Sequence, residues 1–328
     1  MIVFFEKHSR LVGVVAGLFL AIGLFIVTQS ITDDAPATLE NTFNTPARFD
    51  NADLNVDFSK TSVEIDQILN GGPGKDGIPA LVNPRFEPQS SSRVPNETQV
   101  IYVESNGVER LYPYNILVWH EIVNDVVGGI PLVITFCPLC GSAIVYESTI
   151  NDEVIEFGVS GYLFESNMIM YSREKSETLW SQSLGKAIVG DRLDQELEHH
   201  PFQLISYGEA MSLYPNAEVL SGDTGHSRNY DGNPYSGYEV SEELLFPVSV
   251  KDVRFPAKEL FYIVPLEGMS VAVRQNKTDG TYKVPDTNIE VTFDRGTVTA
   301  RWGDAVMPGY YEMWFSWATY HQDNGIVF

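Results

Sequence analysis

Short apolar runs separated by turn residues recur through most of this chain, and they restrict its fold more than any other feature. Residues 99–104 and 108–113 flank Ser105-Asn106-Gly107, a combination typical of a β-hairpin. After residues 130–136, which suit a buried strand, similar runs follow at 142–148, 153–160, 167–173 and 178–183. Strands of this length and spacing predict a mainly β (α+β) fold, arranged as a β-sandwich or as partly closed barrel-like units with a few short helices.

Two segments have patterns typical of helices. Residues 63–69 fit a short helix with Ser62 as its N-cap and Gly71-Gly72 as its end. Residues 114–127 are long enough for one helix, which the next glycine pair would end.

The sequence also contains a weak internal echo, in which residues 178–220 resemble residues 299–328. In each copy a tryptophan precedes a glycine, a short strand, a second glycine and an aromatic helix-like run. We interpret the echo as two related β units, with chance similarity as the alternative. The main domain would cover residues 59–250 and carry both cysteines. A smaller C-terminal unit, a degenerate repeat, would cover residues 251–328.

The N-terminal region contains an uncharged apolar stretch, Leu11–Val27, which follows Lys7 and Arg10 and precedes Asp33 and Asp34. Its seventeen residues would span about 26 Å as a helix, near the lower limit for crossing a membrane. Basic residues before the stretch and acidic residues after it predict a cytoplasmic N-terminus and an extracytoplasmic body.

We therefore expect residues 1–30 to form one transmembrane helix that anchors the chain in the cell membrane, and residues 31–58 to form a flexible tether. A cleaved signal peptide is the alternative, although residues 26–30 lack the small-x-small pattern of a cleavage site. Both alternatives place the globular body outside the cytoplasm.

The net charge of −23 restricts the partners of this body. An acidic surface repels phosphate backbones, so we expect no nucleic-acid partner. With 44% hydrophobic residues, the chain can bury a substantial core. A small molecule or another protein remains as the partner class, and the composition does not choose between them.

The only two cysteines, Cys137 and Cys140, are separated by Pro138 and Leu139 and followed by Gly141. They lie between two strand-like runs, so we expect a strand, a tight turn and a second strand. Such a turn would bring the two thiols together. The pair could bind a metal ion, undergo thiol–disulfide exchange, or only shape the turn.

A metal site would need further ligands. A structural zinc ion usually takes four protein ligands, and the chain has no second cysteine pair. The nearest histidine is His120, on the preceding predicted helix. Two thiolates with one imidazole and an open position suit copper or zinc. Cys137, Cys140 and His120 are therefore the candidate metal ligands.

Thiol–disulfide exchange is the second interpretation of the pair. Outside the cytoplasm, neighbouring thiols tend to oxidise. Closing so small a ring gains only about 2 kcal/mol of loop entropy, and small rings are often reducible. Against exchange, the pair precedes a strand-like run, whereas thioredoxin-type pairs open a helix. A structural disulfide or an inert buried dithiol is the third interpretation.

A long polar segment, residues 221–238, is the second candidate for function. Loops of this length without regular structure often carry function, although a loop pinned by its own hydrogen bonds is an equal alternative. Its polar and aromatic side chains could frame a pocket, and they are Asp223, Thr224, His226, Arg228, Tyr230, Asp231 and Tyr235.

Several segments together resemble one family, and they are residues 71–81, 119–147, 157–173, 179–190 and 220–238. The chain is similar to the family called domain of unknown function 3179, most closely before about residue 250. The resemblance implies export or membrane anchoring, and no particular reaction. His226 departs from the apolar or aromatic residue usual in the family. The residues that match family positions are His120, Glu121, Asn124, Asp125, Cys137, Cys140, Ser160, Asn167, Tyr171, Arg173, Trp180, Gln182, Asp223, Thr224, Gly225, Arg228 and Tyr230.

Taken together, these patterns predict that the cysteine turn, His120 and the 221–231 loop meet in one pocket, with copper or zinc bound by thiolates or with reversible thiol oxidation. The candidate catalytic residues are Cys137, Cys140, His120, Asp125 and Arg228, and the candidate ligand- or cofactor-binding residues are Asn124, Asp223 and Tyr230. The main alternative is a non-enzymatic extracellular binding or scaffold module with a structural cysteine pair. A hydrolase or transferase using Glu121 and Asp223 is a third.

Overall fold

The computed structural model describes residues 49–50 and 53–328, in which β-strands predominate. The α-helices of this part are α1 (Tyr114–His120), α2 (Tyr207–Leu213) and α3 (Trp314–His321). The strands are β1 (Leu69–Asn70), β2 (Leu81–Val82), β3 (Phe86–Pro88), β4 (Gln99–Ser105), β5 (Val108–Pro113), β6 (Ile122–Val127), β7 (Ile130–Cys137), β8 (Ser142–Glu147), β9 (Thr149–Ile150), β10 (Glu153–Val154), β11 (Phe157–Phe164), β12 (Asn167–Ser172), β13 (Thr178–Ser181), β14 (Lys186–Gly190), β15 (Gln203–Ser206), β16 (Glu218–Leu220), β17 (Leu260–Leu266), β18 (Met269–Arg274), β19 (Gly280–Lys283), β20 (Ile289–Asp294), β21 (Thr297–Trp302), β22 (Ala305–Met307), β23 (Tyr310–Met313) and β24 (Gly325–Val327). The predicted mainly β fold with a few short helices is confirmed.

The strands form several open sheets. The largest has the order β2-β6-β7-β8-β23-β17-β18-β24, and two five-stranded sheets have the orders β1-β11-β12-β13-β14 and β15-β4-β5-β16-β3. Strands β19 to β22 form a fourth sheet, and β9 pairs with β10. Each order begins and ends on a different strand, so no sheet within the described residues closes into a barrel. The largest sheet contains strands from both sides of residue 250, so segments on either side of the predicted domain boundary share hydrogen bonds.

Two parts of the structure repeat one topology. In the first, the hairpin β4–β5 is flanked by β15, antiparallel to β4, and by β16, parallel to β5, with α2 between β15 and β16. In the second, the hairpin β17–β18 is flanked in the same way by β23 and β24, with α3 between them. The echo in the sequence therefore falls on segments with the same order of strand, helix and strand.

The helix predicted over residues 63–69 is wrong. Only Ile65–Gln67 forms a short 3-10 turn, and the chain then enters β1, which pairs with β11. Seven residues are too few to form a stable helix by themselves, so pairing with an existing strand prevails. The end of the predicted tether also packs against the body, since Val56 bridges to Glu177.

The single helix predicted over residues 114–127 is also wrong in its second half. Helix α1 ends at His120, and residues 122–127 form β6, which pairs along its length with β7. The segment is rich in β-branched residues, which favour a strand when a partner is available. The change from helix to strand occurs at Glu121, whose φ of 58° lies in the left-handed region.

No helix within the described ranges is both long enough and apolar enough to cross a membrane. The predicted anchor, residues 1–30, lies outside the described residues, as does most of the predicted tether.

Candidate functional site

The two cysteines lie in a tight turn between β7 and β8, as the sequence predicts. Cys137 ends β7 and pairs with Ser142, the first residue of β8. The backbone N–H of Cys140 donates to the carbonyl of Cys137 over 3.2 Å, and Gly141 has a φ of 56° that completes the turn. Both thiols are free and buried, and their Sγ atoms are 3.4 Å apart. A disulfide needs about 2.05 Å, so the pair is a dithiol in this structure.

The surroundings of the two sulfurs give them opposite acidities. Burial by itself would raise the pKa of Cys137, but hydrogen bonds from the Cys140 thiol and from the backbone N–H groups of Cys140, Met168 and Leu139 lower it below its ordinary value. Burial and the adjacent Cys137 sulfur raise the pKa of Cys140 well above its ordinary value. Cys137 is therefore the more acidic thiol of the pair, and Cys140 is the less acidic one.

Glu121 faces this pair from the junction of α1 and β6. Its side chain is buried, and the Tyr235 hydroxyl donates to its Oε1 over 3.4 Å. Burial, followed by the nearby Cys137 sulfur, raises the pKa of Glu121 well above its ordinary value, so the neutral carboxylic acid is favoured. Glu121 also has a strained backbone conformation, held by its N–H donating to Leu117 and by its carbonyl accepting from Phe136. Strain of this kind is common at functional sites.

Cys137 and Glu121 line the same cavity, which has a volume of about 260 Å³. Its walls are mainly apolar, and its other lining residues are Gly71, Pro73, Gly77, Ile78, Val118, Trp119, Leu139, Val159, Gly161, Tyr162, Leu163, Met168, Arg228, Pro234, Tyr235 and Phe246. A cavity that combines apolar walls with a few convergent polar groups of shifted pKa is a candidate ligand site.

The glycine-rich segment 71–77 forms part of the cavity wall by lying directly on β11. The N–H of Gly71 donates to the carbonyl of Gly161 over 2.8 Å, and Asp76 N–H donates to Val159 over 2.9 Å. A Cβ on Gly161 would lie 2.5 Å from the backbone of Gly74. This close approach, together with a φ of 79°, accounts for glycine at position 161.

His120, predicted as a metal ligand, is engaged elsewhere. Its Nδ1 is 2.8 Å from the carbonyl of Pro79, and its Nε2 is 2.7 Å from the hydroxyl of Tyr230. Burial lowers the pKa of His120 to about 4, so the ring is neutral. Thr224 Oγ1 lies 2.6 Å from the same Tyr230 hydroxyl. Within the described part of the chain, no three His, Cys, Asp or Glu side chains are grouped so that they could hold one metal ion.

The predicted ligand-binding residue Asn124 and the predicted catalytic residue Asp125 make structural contacts. Asn124 donates to the carbonyls of Leu81 and Phe157 and accepts from the N–H of Phe157 over 2.8 Å, which ties β6 to β2 and β11. Asp125 accepts from the Tyr112 hydroxyl over 2.7 Å. Neither residue lines the cavity.

Some residues of the 221–238 loop line the cavity, and others lie outside it. Arg228 lines the cavity, with an exposed side chain and no carboxylate partner among the described residues. Asp223 forms an exposed ion pair with Arg85, away from this cavity. The structure thus brings Cys137, Cys140, Glu121, Arg228 and Tyr235 together, while the His120–Tyr230–Thr224 cluster lies beside them.

Glu121 was predicted as a residue that matches a family position and as a hydrolase carboxylate, and not as a neighbour of the cysteines. One signal could have indicated its role: it is the acidic residue between a helical pattern and a β-branched run. Trp119, Met168 and Phe246 also line the cavity and had no signal beyond their apolar character.

A buried polar network lies behind Cys140. Asn167 Nδ2 donates to Cys140 Sγ over 3.4 Å, and Asn167 Oδ1 accepts from the N–H of Ser183. The hydroxyls of Ser183 and Ser316 donate to Glu312 Oε1 over 2.5 and 2.6 Å. Burial raises the pKa of Glu312 to about 7. The sulfur pair is therefore connected to a second buried carboxyl.

Comparison with known proteins gives one match. The model of the family described as "Protein of unknown function (DUF3179)" matches residues 75–307. The chain belongs to this family. The matched DUF3179 region contains both cysteines and every residue that lines the cavity except Gly71 and Pro73. No curated protein and no solved structure matches the chain.

Proposed function

We propose that this chain is an extracytoplasmic, membrane-anchored thiol oxidoreductase that exchanges disulfides with a small molecule held in the cavity. One arrangement carries the proposal: Cys137 and the buried Glu121 line the same cavity, and the Cys140 thiol lies 3.4 Å from the Cys137 sulfur. The lowered pKa of Cys137 and the raised pKa of Glu121 suit a nucleophile and a proton donor. A nucleophile, a proton donor and a second thiol are the three groups that disulfide exchange requires.

The reaction begins when Cys137 Sγ attacks one sulfur of a disulfide R–S–S–R′. A mixed disulfide forms between Cys137 and R–S, the S–S bond of the substrate breaks, and the leaving R′–S⁻ takes the proton of Glu121. Cys140 Sγ then attacks Cys137 Sγ and releases R–S⁻, which takes the Cys140 proton. Two electrons pass from the dithiol to the substrate, which leaves as two thiols.

Regeneration reverses these steps. An external thiol reductant opens the Cys137–Cys140 disulfide, and solvent returns the proton to Glu121. The small ring formed by two cysteines three positions apart favours this reversibility, since it gains little from loop entropy.

Alkylation with iodoacetamide, followed by mass spectrometry of the reduced full-length chain, tests the assignment. We expect Cys137 to be alkylated first, and at a lower pH than an ordinary thiol, because its pKa is lowered. The variant C140S should accumulate a mixed disulfide at Cys137 when given a small disulfide, whereas the matched variant C137S should not. Equal labelling of both cysteines, or no adduct with C140S, would contradict the proposal and favour the scaffold alternative.

A metal-binding function is the second candidate, because the same two sulfurs converge in one turn. Thiolates select soft ions such as copper(I) or zinc. His120 could join them only after leaving Pro79 and Tyr230. Elemental analysis of the purified protein tests this candidate: copper or zinc bound in equal molar amount, and lost in C137S, would support it over disulfide exchange.

The location and layering of the body are part of the same proposal. Lys7 and Arg10 before the apolar stretch support a cytoplasmic N-terminus. We also propose that the open sheets pack as layers of a β-sandwich around the site, since side chains of β7, β8, β11 and β12 share one buried cluster. Membrane fractionation of the full-length chain, with protease added from outside the cell, tests the orientation.

A further inference from the structure

The shape and lining of the cavity restrict which disulfide it can accept. Its volume of about 260 Å³ is just below the usual range for small-molecule sites, which is roughly 300–1,000 Å³. A low-molecular-weight disulfide could enter a cavity of this size by one half. The size of the cavity therefore favours a small substrate.

The walls next to Cys137 favour an apolar body for the half that enters. Trp119, Leu139, Met168 and Phe246 are among the lining residues. The polar groups that accompany the sulfur are Glu121, whose raised pKa favours the neutral acid, and the Tyr235 hydroxyl that donates to it. A charged substituent buried here would have no counter-charge and would lose its hydration. An aromatic ring or a short apolar chain fits these walls.

At the opening of the cavity, Arg228 favours an anionic group. The Arg228 guanidinium is exposed at the cavity, and its one hydrogen bond among the described residues is to the Ser227 carbonyl over 3.4 Å. The whole chain has a charge of −23, which opposes the approach of anions, so an arginine free of carboxylates at this place is a local exception. A guanidinium recognises carboxylates and related anions through paired hydrogen bonds.

We propose that the substrate is a low-molecular-weight disulfide whose apolar half fills the cavity and whose anionic group binds Arg228. This proposal rests on the thiol–disulfide function proposed above. It adds that Arg228 sets specificity: it selects the anionic substrate and does not take part in the exchange of sulfur atoms.

Two chromogenic mixed disulfides that share an unsubstituted pyridine-2-thiol half test the proposal. They are ethyl 2-pyridyl disulfide, which is neutral, and 3-(2-pyridyldithio)propanoic acid, whose other half is carboxylated. Stopped-flow absorbance follows the thione released by the reduced full-length chain. We expect R228A to lower the second-order rate constant for the carboxylated probe by about tenfold, as loss of one charged hydrogen bond implies, and to leave the neutral probe unchanged. R228K should restore part of the difference, and the preference for the carboxylated probe should decline with added salt.

The variant R85A is the matched control, because Arg85 is also exposed but pairs with Asp223 outside the cavity lining. It should leave both rates unchanged. If R228A slows both probes equally or neither of them, while Cys137 still reacts, the anionic substrate class is wrong and disulfide exchange stands. If neither probe releases thione in a Cys137-dependent way, both the exchange function and the substrate class are wrong.

Discussion

Replacing Glu312 with glutamine should change how the stability of the protein depends on pH. The carboxyl of Glu312 is fully buried, and burial raises its pKa from an ordinary 4.5 to about 7. Between these values the folded chain holds a proton that the unfolded chain releases. The stabilisation due to protonated Glu312 is therefore fully present below about pH 4.5 and is lost as the pH rises towards 7.

The size of this change in stability follows from the difference between the ordinary pKa and the raised pKa of Glu312. About 2.5 pH units at 1.4 kcal/mol per unit give a loss of about 3 kcal/mol in the free energy of unfolding, relative to E312Q. Urea unfolding of both reduced proteins, followed by tryptophan fluorescence between pH 4 and 8, measures this difference. A difference that stays constant from pH 4.5 to 7, or that grows in favour of the wild type, would refute the reasoning.

The variant S183A tests whether the environment of Glu312 sets this pH dependence. The Ser183 hydroxyl donates to Glu312 Oε1, and this hydrogen bond lowers the pKa of the carboxyl. In S183A the donor is lost, so the folded-state pKa should rise further. The interval over which stability declines should then extend to higher pH.

Two further substitutions test the framework around the cavity. Gly161 and Gly107 both have a φ of 79°, but a Cβ on Gly161 would lie 2.5 Å from Gly74 whereas a Cβ on Gly107 would meet nothing within 4 Å. We expect G107A to lower the free energy of unfolding by about 1 kcal/mol and G161A by several times as much, and equal losses would contradict the close approach. N124A should cost roughly 2–4 kcal/mol in urea unfolding, because it leaves the buried N–H and carbonyl of Phe157 unpaired. The folded N124A protein should still alkylate at Cys137, since the amide supports the sheets and not the chemistry.

The predictable part of the fold is the part governed by neighbours in sequence. The hairpin β4–β5 follows from Asn106-Gly107, whose φ values of 50° and 79° suit the turn, and the strand–turn–strand arrangement of the cysteines follows from the runs on either side. The end of α1 did not follow, because no glycine or proline marks it. There the pairing of β6 with β7 overrides a continuous helical pattern.

The pairing of the two cysteines was predictable from the sequence, and the side chains that surround them were not. The spacing of Cys137 and Cys140 brought them together as expected, and Arg228 reaches the same cavity. His120 and Glu121 are adjacent in sequence, but the backbone turns at Glu121 and the two side chains contact different groups. The His120 ring hydrogen-bonds to Pro79 and Tyr230, and the Glu121 carboxyl faces the Cys137 sulfur. Such a division depends on tertiary packing, which no local pattern records.

The carbonyl of Cys140 accepts the N–H of Met313 over 2.8 Å, and Tyr311 pairs with Ala143 in the next strand. The turn that carries the thiols is thus covered by a segment that the ribosome adds near the end of the chain. Protection of the sulfurs comes late in synthesis, so a chain truncated before residue 310 would expose a ready-made thiol pair to any surrounding oxidant. The burial of both cysteines is therefore complete only when this last segment has joined the sheet.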